Sequence, residues 1–64
     1  MSKLEVFLEN FDLSCDIILM DEAGNVLYKG QIAKITKDIL NLNNVILGTA
    51  MVRNNCIEVK VRKR

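Results

Sequence analysis

Residues 45–62 read VILGTAMVRNNCIEVKVR, two runs rich in Val and Ile that flank the pair Asn54-Asn55. β-Branched residues favour strands, and a polar pair between two such runs indicates a β-hairpin. We therefore predict strands over Val45–Val52 and Cys56–Arg62, joined by a two-residue turn of the primed type.

The turn predicts which residues of this hairpin face each other. It sets Arg53 opposite Cys56, and the next pair is then Val52 with Ile57. One face is wholly apolar and contains Gly48, Ala50, Val52, Ile57, Val59 and Val61. The other face is mixed and contains Leu47, Thr49, Met51, Arg53, Cys56, Glu58, Lys60 and Arg62. We expect the apolar face to be the buried one.

A second hairpin pattern lies earlier in the chain. Residues 15–20 read CDIILM and residues 26–29 read VLYK, with an acidic turn between them. Gly24 can take the left-handed backbone conformation that closes a short loop, and Gly30 is predicted to end the second strand. Both faces of this hairpin carry apolar side chains.

Two helices complete the pattern. The first is predicted over residues 3–11, begun by a capping box at Ser2 and Glu5 and given one apolar face by Leu4, Phe7, Leu8 and Phe11. The second is predicted from Gln31 to Leu40 and is stopped by the Asn-rich residues 41–44. The chain thus reads as a single α+β domain over residues 1–64, helix–hairpin–helix–hairpin (αββαββ), with a four-stranded, mostly antiparallel sheet.

The size and composition of the chain limit how it is stabilised. At 64 residues a hydrophobic core is marginal, and disulfides, metals or oligomerisation often add stability. The two cysteines, Cys15 and Cys56, and the absence of His argue against a disulfide framework and a zinc site. With no signal peptide or transmembrane run recognisable, we expect a cytoplasmic protein with reduced thiols, no membrane association and no cofactor. Oligomerisation remains as the candidate source of added stability.

Assembly has candidate residues in the sheet. Two short helices on one side of the sheet would leave four apolar side chains uncovered: Ile18, Met20, Leu47 and Met51. Burying each against a second copy contributes about 1.5 to 3 kcal/mol before association costs. We predict a homodimer or larger oligomer through these residues. Two alternatives stay open: a monomer with one helix on each sheet face, or an unknown protein partner that binds the methionines.

Charge is sorted along the chain. Residues 1–28 hold one Lys against six carboxylates, a net charge of −5, whereas residues 29–64 hold eight basic against two acidic residues, a net charge of +6. The second half could lie along nucleic-acid phosphates through Lys34, Lys37, Arg53, Lys60, Arg62, Lys63 and Arg64, the last three forming a mobile basic tail. Alternatively, these side chains only solvate the surface and protect an edge strand.

Enzymatic activity is not expected. The chain has no His, the commonest general base and the usual activator of a Cys nucleophile. Its three glycines do not form a phosphate-binding loop. One catalytic hypothesis stays open, a metal-dependent nuclease built on Asp16, Asp21 or Glu58, because hard cations prefer oxygen ligands.

Residues 17–30, which read IILMDEAGNVLYKG, are followed by a brief helix ending near Leu40 and by the strand IEVKV at residues 57–61. In this arrangement the chain resembles short proteins encoded in phages and mobile elements of Gram-positive bacteria. The resemblance implies a small oligomer that engages a host or element-encoded partner, in some cases as an inhibitor of host defence. It assigns no functional residues.

Overall fold

The computed structural model describes residues 3–42 and 45–63, and it shows an α+β fold with a four-stranded mixed sheet. Its elements, in chain order, are α1 (Lys3–Leu8), β1 (Asp16–Met20), β2 (Val26–Gln31), a 3₁₀ helix (Ile32–Lys34), α2 (Lys37–Leu42), β3 (Val45–Arg53) and β4 (Cys56–Arg62). The α+β class is therefore confirmed, while the predicted order αββαββ is corrected by the 3₁₀ helix between β2 and α2.

The sheet has the strand order β2-β1-β4-β3. Each hairpin is antiparallel, and the two hairpins are joined through a parallel pairing of β1 with β4, in which Ile17 lies beside Ile57 and Leu19 beside Val59. The central strands are thus β1 and β4, and the edges are β2 and β3.

Both α-helices pack on one face of the sheet. Leu4 and Leu8 of α1 join Ile32 and the inward side chains of the central strands, Ile17, Leu19, Ile57, Val59 and Val61, in one buried cluster. Ile39 and Leu40 of α2 pack against the same cluster. Strand alternation sends the intervening residues of β1 and β4 to the opposite face, which no described helix covers. We name this side the open face.

The first helix is shorter than predicted. It ends at Leu8 instead of residue 11, and the chain leaves it through a turn in which the Asn10 side chain donates a hydrogen bond to the Phe7 carbonyl at 3.1 Å. Asn competes for backbone groups in this way and favours helix ends. Phe7 and Phe11 still pack together, with ring centroids 5.2 Å apart. Ser2 of the predicted capping box lies outside the described residues.

The prediction of one continuous second helix is wrong. The 3₁₀ helix ends at Lys34, and Ile35 is extended, with φ −68° and ψ 131°. Thr36 then starts α2, because its Oγ1 accepts a hydrogen bond from the Ile39 N–H at 3.4 Å, a typical helix N-cap. The capping preference of Thr36 divides a segment whose apolar spacing alone indicated one helix. Asn43 and Asn44 of its predicted stop lie outside the described residues.

The turn of the second hairpin is confirmed in position but not in type. Arg53 faces Cys56 as predicted. A primed turn needs a positive φ at its first central residue, whereas only the second, Asn55, has one, at 59°. A turn that is not primed matches the strand twist poorly, and the ladder is irregular beside it. Val52 is the extra residue of this β-bulge, since it lies between Met51 and Arg53 and has no facing residue in β4.

This irregularity overturns the predicted register. Ile57 faces Met51 instead of Val52, and Val59 faces Thr49 instead of Ala50. Residues directly opposite each other share a face. The structure therefore places Thr49 and Met51 on the helix-bearing side, and it moves Gly48 and Ala50 to the open face, opposite Lys60 and Glu58.

Candidate interaction surfaces

The open face carries two of the predicted interface residues. Ile18 lies between Lys29 of β2 and Glu58 of β4, and Met20 lies beside Lys60. Ile18 and Met20 are only half-buried. Long charged side chains cover apolar neighbours with their aliphatic stems. This pair is flanked by Glu58 and Lys60 of β4 on one side, and by Lys29 and the exposed Val26 of β2 on the other.

The other two predicted interface residues lie on β3. Leu47 is 44% exposed and Met51 is 65% exposed, and β3 pairs only with β4, so its outer side is a sheet edge. The four residues do not form one patch, because β4 separates β1 from β3. The apolar outer strand Val45–Arg53, with Leu47, Met51 and Val52 at its surface, is named the β3 edge.

Sequence reasoning missed Val52 as a surface residue. The predicted register put it on the buried face, whereas its side chain is 47% exposed. The signal was weak, since the turn reads Asn-Asn where a primed turn usually has Gly at its second position. A turn without Gly after a nine-residue strand was the available hint of a bulge.

The predicted basic residues do not form one stripe. Lys34 and Lys37 belong to the helical layer, whereas Lys60 and Arg62 alternate to the open face. Arg53 faces Cys56 at one end of the hairpin, and Arg62 faces Val45 at the other. Arg64 lies outside the described residues. A ligand with regularly spaced phosphates would have to meet these cations on several sides of the molecule.

Acidic and basic residues from the two halves of the chain come together at one end of the sheet. Arg62 and Lys63 line an open depression of about 590 Å³ together with Asp21 and Glu22 of the first hairpin loop. The acidic loop after β1 and the basic end of β4 meet because the two strands run parallel. The basic end of β4 therefore faces carboxylates of its own chain.

The carboxylates of the nuclease hypothesis are spread along the sheet. Asp16 begins β1, Asp21 follows the end of that strand, and Glu58 lies in β4 beside Ile18. A five-residue strand spans about 16 Å, so Asp16 and Asp21 lie at opposite ends of it. Among residues 3–42 and 45–63, no three His, Cys, Asp or Glu side chains are grouped to hold a metal ion.

Asp21 organises its own loop. Its Oδ1 accepts hydrogen bonds from the backbone N–H groups of Ala23 at 2.9 Å and Asn25 at 2.8 Å, and its Oδ2 accepts one from the Asn25 side chain at 3.1 Å. The Asn25 backbone N–H, followed by the Asn25 side-chain amide, holds the pKa of Asp21 below its usual value. Gly24 has the predicted left-handed conformation, with φ 87°. This carboxylate stabilises a turn.

The two thiols lie near each other. Cys15 and Cys56 both line a small pocket of about 140 Å³, next to Met51 and Asn55. Both are free; Cys56 is buried, and the Cys15 Sγ lies 4.0 Å from the Asn55 Oδ1. Their setting is that of small packing residues at the start of two central strands.

A further cleft, which the sequence did not reveal, opens between α1 and the segment around the 3₁₀ helix. It encloses about 420 Å³ and has mostly apolar walls, with Glu5 and Glu9 of α1 among its lining residues. The apolar residues that line it are Leu8, Phe11, Leu13, Ile32, Ala33, Ile35 and Leu40.

Comparison with known proteins adds no relative. The chain matches no protein-family model, no curated protein and no solved structure. In the part of the chain that the structure describes, no helix has both the length and the apolar character needed to cross a bilayer.

Proposed function

We propose that this chain is a small non-catalytic interaction module that assembles with itself through the β3 edge. One observation carries the proposal: a nine-residue edge strand with no charged residue before Arg53 exposes Leu47, Met51 and Val52. Natural edge strands are usually protected by short length, charge or bulges, because unpaired backbone groups attract other strands. The β3 edge has bulges at Leu47 and Val52 but lacks the other two protections.

Covering the β3 edge would stabilise an assembly through both side-chain burial and backbone hydrogen bonds. Fully burying a Leu, Met or Val side chain is worth about 1.5 to 3 kcal/mol, and these three are roughly half exposed in one chain. Covering the edge also gives its unpaired N–H and C=O groups partners in a drier environment. For a domain of 64 residues, this gain is comparable with the total stability that such a core supplies.

The basic residues support the alternative of nucleic-acid binding less well. They are divided between the helical layer, the open face and the two ends of the hairpin, and Arg62 and Lys63 lie beside Asp21 and Glu22. Engagement of a host or element-encoded protein, implied by the resemblance to phage and mobile-element proteins, is a further part of the proposal and rests on that resemblance.

The first test is the solution mass by light scattering, over a concentration series at low and high salt. We expect a mass of two or more subunits that persists at high salt, because apolar contacts are not screened. Met51→Lys should lower the mass towards one subunit while the circular dichroism spectrum stays unchanged. The matched control is Leu27→Lys on the opposite edge, at a side chain that is 37% exposed, and it should keep the parent mass.

A parent chain that stays monomeric at every concentration would overturn the proposal. Equal effects of Met51→Lys and Leu27→Lys would mean that the β3 edge has no special role. A salt-sensitive complex with DNA or RNA that is lost in Arg62→Glu would favour the nucleic-acid alternative instead.

A further inference from the structure

We infer that the cleft between α1 and the segment around the 3₁₀ helix binds a small amphipathic cation, an organic molecule with an apolar body and one ammonium group. The site goes beyond the proposed self-association, since no described residue of β3 lines it. Three properties of the cleft support the inference: its size and lining, the sign of its charge, and the way its wall is held.

The size and lining of the cleft are those of a small-molecule site. Its volume of about 420 Å³ lies near the lower end of the range of about 300 to 1,000 Å³ in which ligand sites occur. Such sites combine mostly apolar walls with a few polar groups that orient the ligand. Here the apolar walls come from α1, the loop after it, the segment around the 3₁₀ helix and α2, and the charged groups come from α1 and the turn that follows it. A ligand in the cleft would therefore contact hydrocarbon over most of its surface and carboxylates at one side.

The charge of the cleft has one sign. Among the residues that the structure describes, Glu5 and Glu9 are the only charged ones that line it, whereas Lys34 and Lys37 are exposed and do not line it. The depression at the end of β4, in contrast, has carboxylates and cations together and so favours neither sign. The two glutamates are four residues apart, and like charges at this spacing repel each other slightly. An ammonium group beside them is attracted by both, whereas an anion of the same shape is repelled.

The wall of the cleft opposite α1 is held by backbone hydrogen bonds. The Leu13 carbonyl accepts a hydrogen bond from the Ala33 N–H at 3.1 Å, and the Cys15 carbonyl accepts one from the Ile32 N–H at 2.9 Å. These bonds tie the loop after α1 to the 3₁₀ helix and fix the backbone of Leu13, whose side chain lines the cleft and is 63% exposed. Preorganisation of this kind lowers the entropic cost of binding. The cleft is thus formed before a ligand enters it.

Three probes with the same aromatic body and different end groups test the inference: 2-phenylethylammonium, 2-phenylethanol and 3-phenylpropanoate. Each is titrated at neutral pH and low salt into the full chain labelled with ¹⁵N, so that backbone amide shifts report both affinity and location. We expect saturable shifts at Leu13, Ala33 and Ile35, with a Kd in about the millimolar range for molecules of this size.

The order of the three affinities is the decisive result. The ammonium probe should bind about two- to tenfold more tightly than the alcohol, and the alcohol more tightly than the carboxylate, because the carboxylates of the cleft are partly solvated. The advantage of the ammonium probe should shrink as salt rises. Equal affinities for the three probes, shifts centred elsewhere in the chain, or no shifts at all would overturn the inference.

A charge substitution tests whether the cleft itself selects the cation. Glu9→Gln, at an exposed side chain, should weaken the ammonium probe about two- to fivefold and leave the alcohol unchanged. Glu22→Gln is the matched control, because this exposed carboxylate lies outside the cleft, and it should keep the parent's preference. An unchanged preference in Glu9→Gln, or an equal loss in Glu22→Gln, would mean that the cleft does not select the cation, and the inference would fail.

An apolar substitution tests the other half of the site. Leu13→Ala should weaken all three probes by a similar factor of about three to ten, because it removes hydrocarbon from the wall. Leu27→Ala, at an exposed side chain of β2, should leave all three affinities unchanged. Equal effects of the two variants would show that the probes bind outside the cleft. None of these results bears on the solution mass, so the inference and the proposed self-association fail separately.

Discussion

The two edges of the sheet, β2 and β3, both have unpaired backbone groups that could bind another strand, and they differ in how far they prevent this. β2 has six residues, includes Lys29 and ends in a distorted segment where Tyr28 folds over Gly30. β3 has nine residues, is uncharged before Arg53 and is exposed from Leu47 onward. Both edges contain bulges, at Leu27 in β2 and at Leu47 and Val52 in β3, so the edges differ in length, in charge and in the backbone of Gly30. This difference is the basis for proposing that β3, and not β2, meets a second copy.

The protection of β2 depends on one local arrangement. The Tyr28 hydroxyl donates a 2.6 Å hydrogen bond to the Gln31 carbonyl, and the ring passes close to Gly30, where an added Cβ would lie 3.0 Å from the hydroxyl oxygen. Gly30 was predicted to end the strand, but β2 continues to Gln31. The Gly instead allows a bend within the strand.

The largest expected effect comes from the core that holds both edges. Leu19→Ala removes a fully buried side chain from β1 and should cost about 2 to 5 kcal/mol of unfolding free energy. Met20→Ala, at the next and half-buried position, should cost clearly less. Urea unfolding followed by circular dichroism measures both. Similar costs for the two variants would mean that the open face is as tightly packed as the core.

A pair of glycine substitutions compares the edges directly. Gly30→Ala should cost about 1 to 3 kcal/mol, because φ is 154° there and the new methyl group would meet Tyr28. Gly48→Ala should be neutral or stabilising by up to about 1 kcal/mol, because nothing lies within 4 Å of the added Cβ and the backbone is ordinary. Thermal unfolding of both variants checks this. A greater loss in Gly48→Ala would reverse the proposed roles of the edges.

Tyr28→Phe tests how much the Tyr28 hydrogen bond stabilises β2. The substitution keeps the ring over Gly30 and removes the hydrogen bond to the Gln31 carbonyl. We expect a loss of about 0.5 to 1.5 kcal/mol, with unchanged subunit mass, since the proposed assembly edge is β3. Denaturant unfolding and light scattering of the same sample give the two readouts. An altered mass would show that β2 takes part in assembly.

The smallest effect concerns pH and the loop between β1 and β2. Hydrogen bonds, chiefly from Asn25, hold the pKa of Asp21 below its ordinary value of 3.8, so ionised Asp21 stabilises the fold above that pH. The contribution is lost as pH falls through the lowered value. Unfolding curves between pH 5 and pH 2 should therefore show a smaller acid-induced loss in Asp21→Ala than in the parent. Glu22→Ala, at the adjacent exposed carboxylate, is the control and should retain the parent's response.

Local sequence patterns predicted the two hairpins, the position of the first helix and the facing pair of Arg53 and Cys56. They failed where a single residue competed with the pattern. Thr36 capped a new helix inside an apolar repeat, and the bulge at Val52 shifted the ladder by one residue. That shift placed Met51 on the helix-bearing side. The strand order put Leu47 and Met51 on the outer strand β3 and Ile18 and Met20 on the central strand β1, so the predicted single interface became two separate surfaces.

The sequence by itself determined the α+β class, the strands and most of the buried residues, because alternation and helical spacing are properties of neighbouring residues. Only the tertiary structure decided that β1 and β4 lie side by side in parallel, and that β3 is therefore an edge. The physical reason is that the apolar alternation of a strand shows which side is buried but not which strand lies beside it. Neighbours along the sheet are selected by packing between segments far apart in the chain.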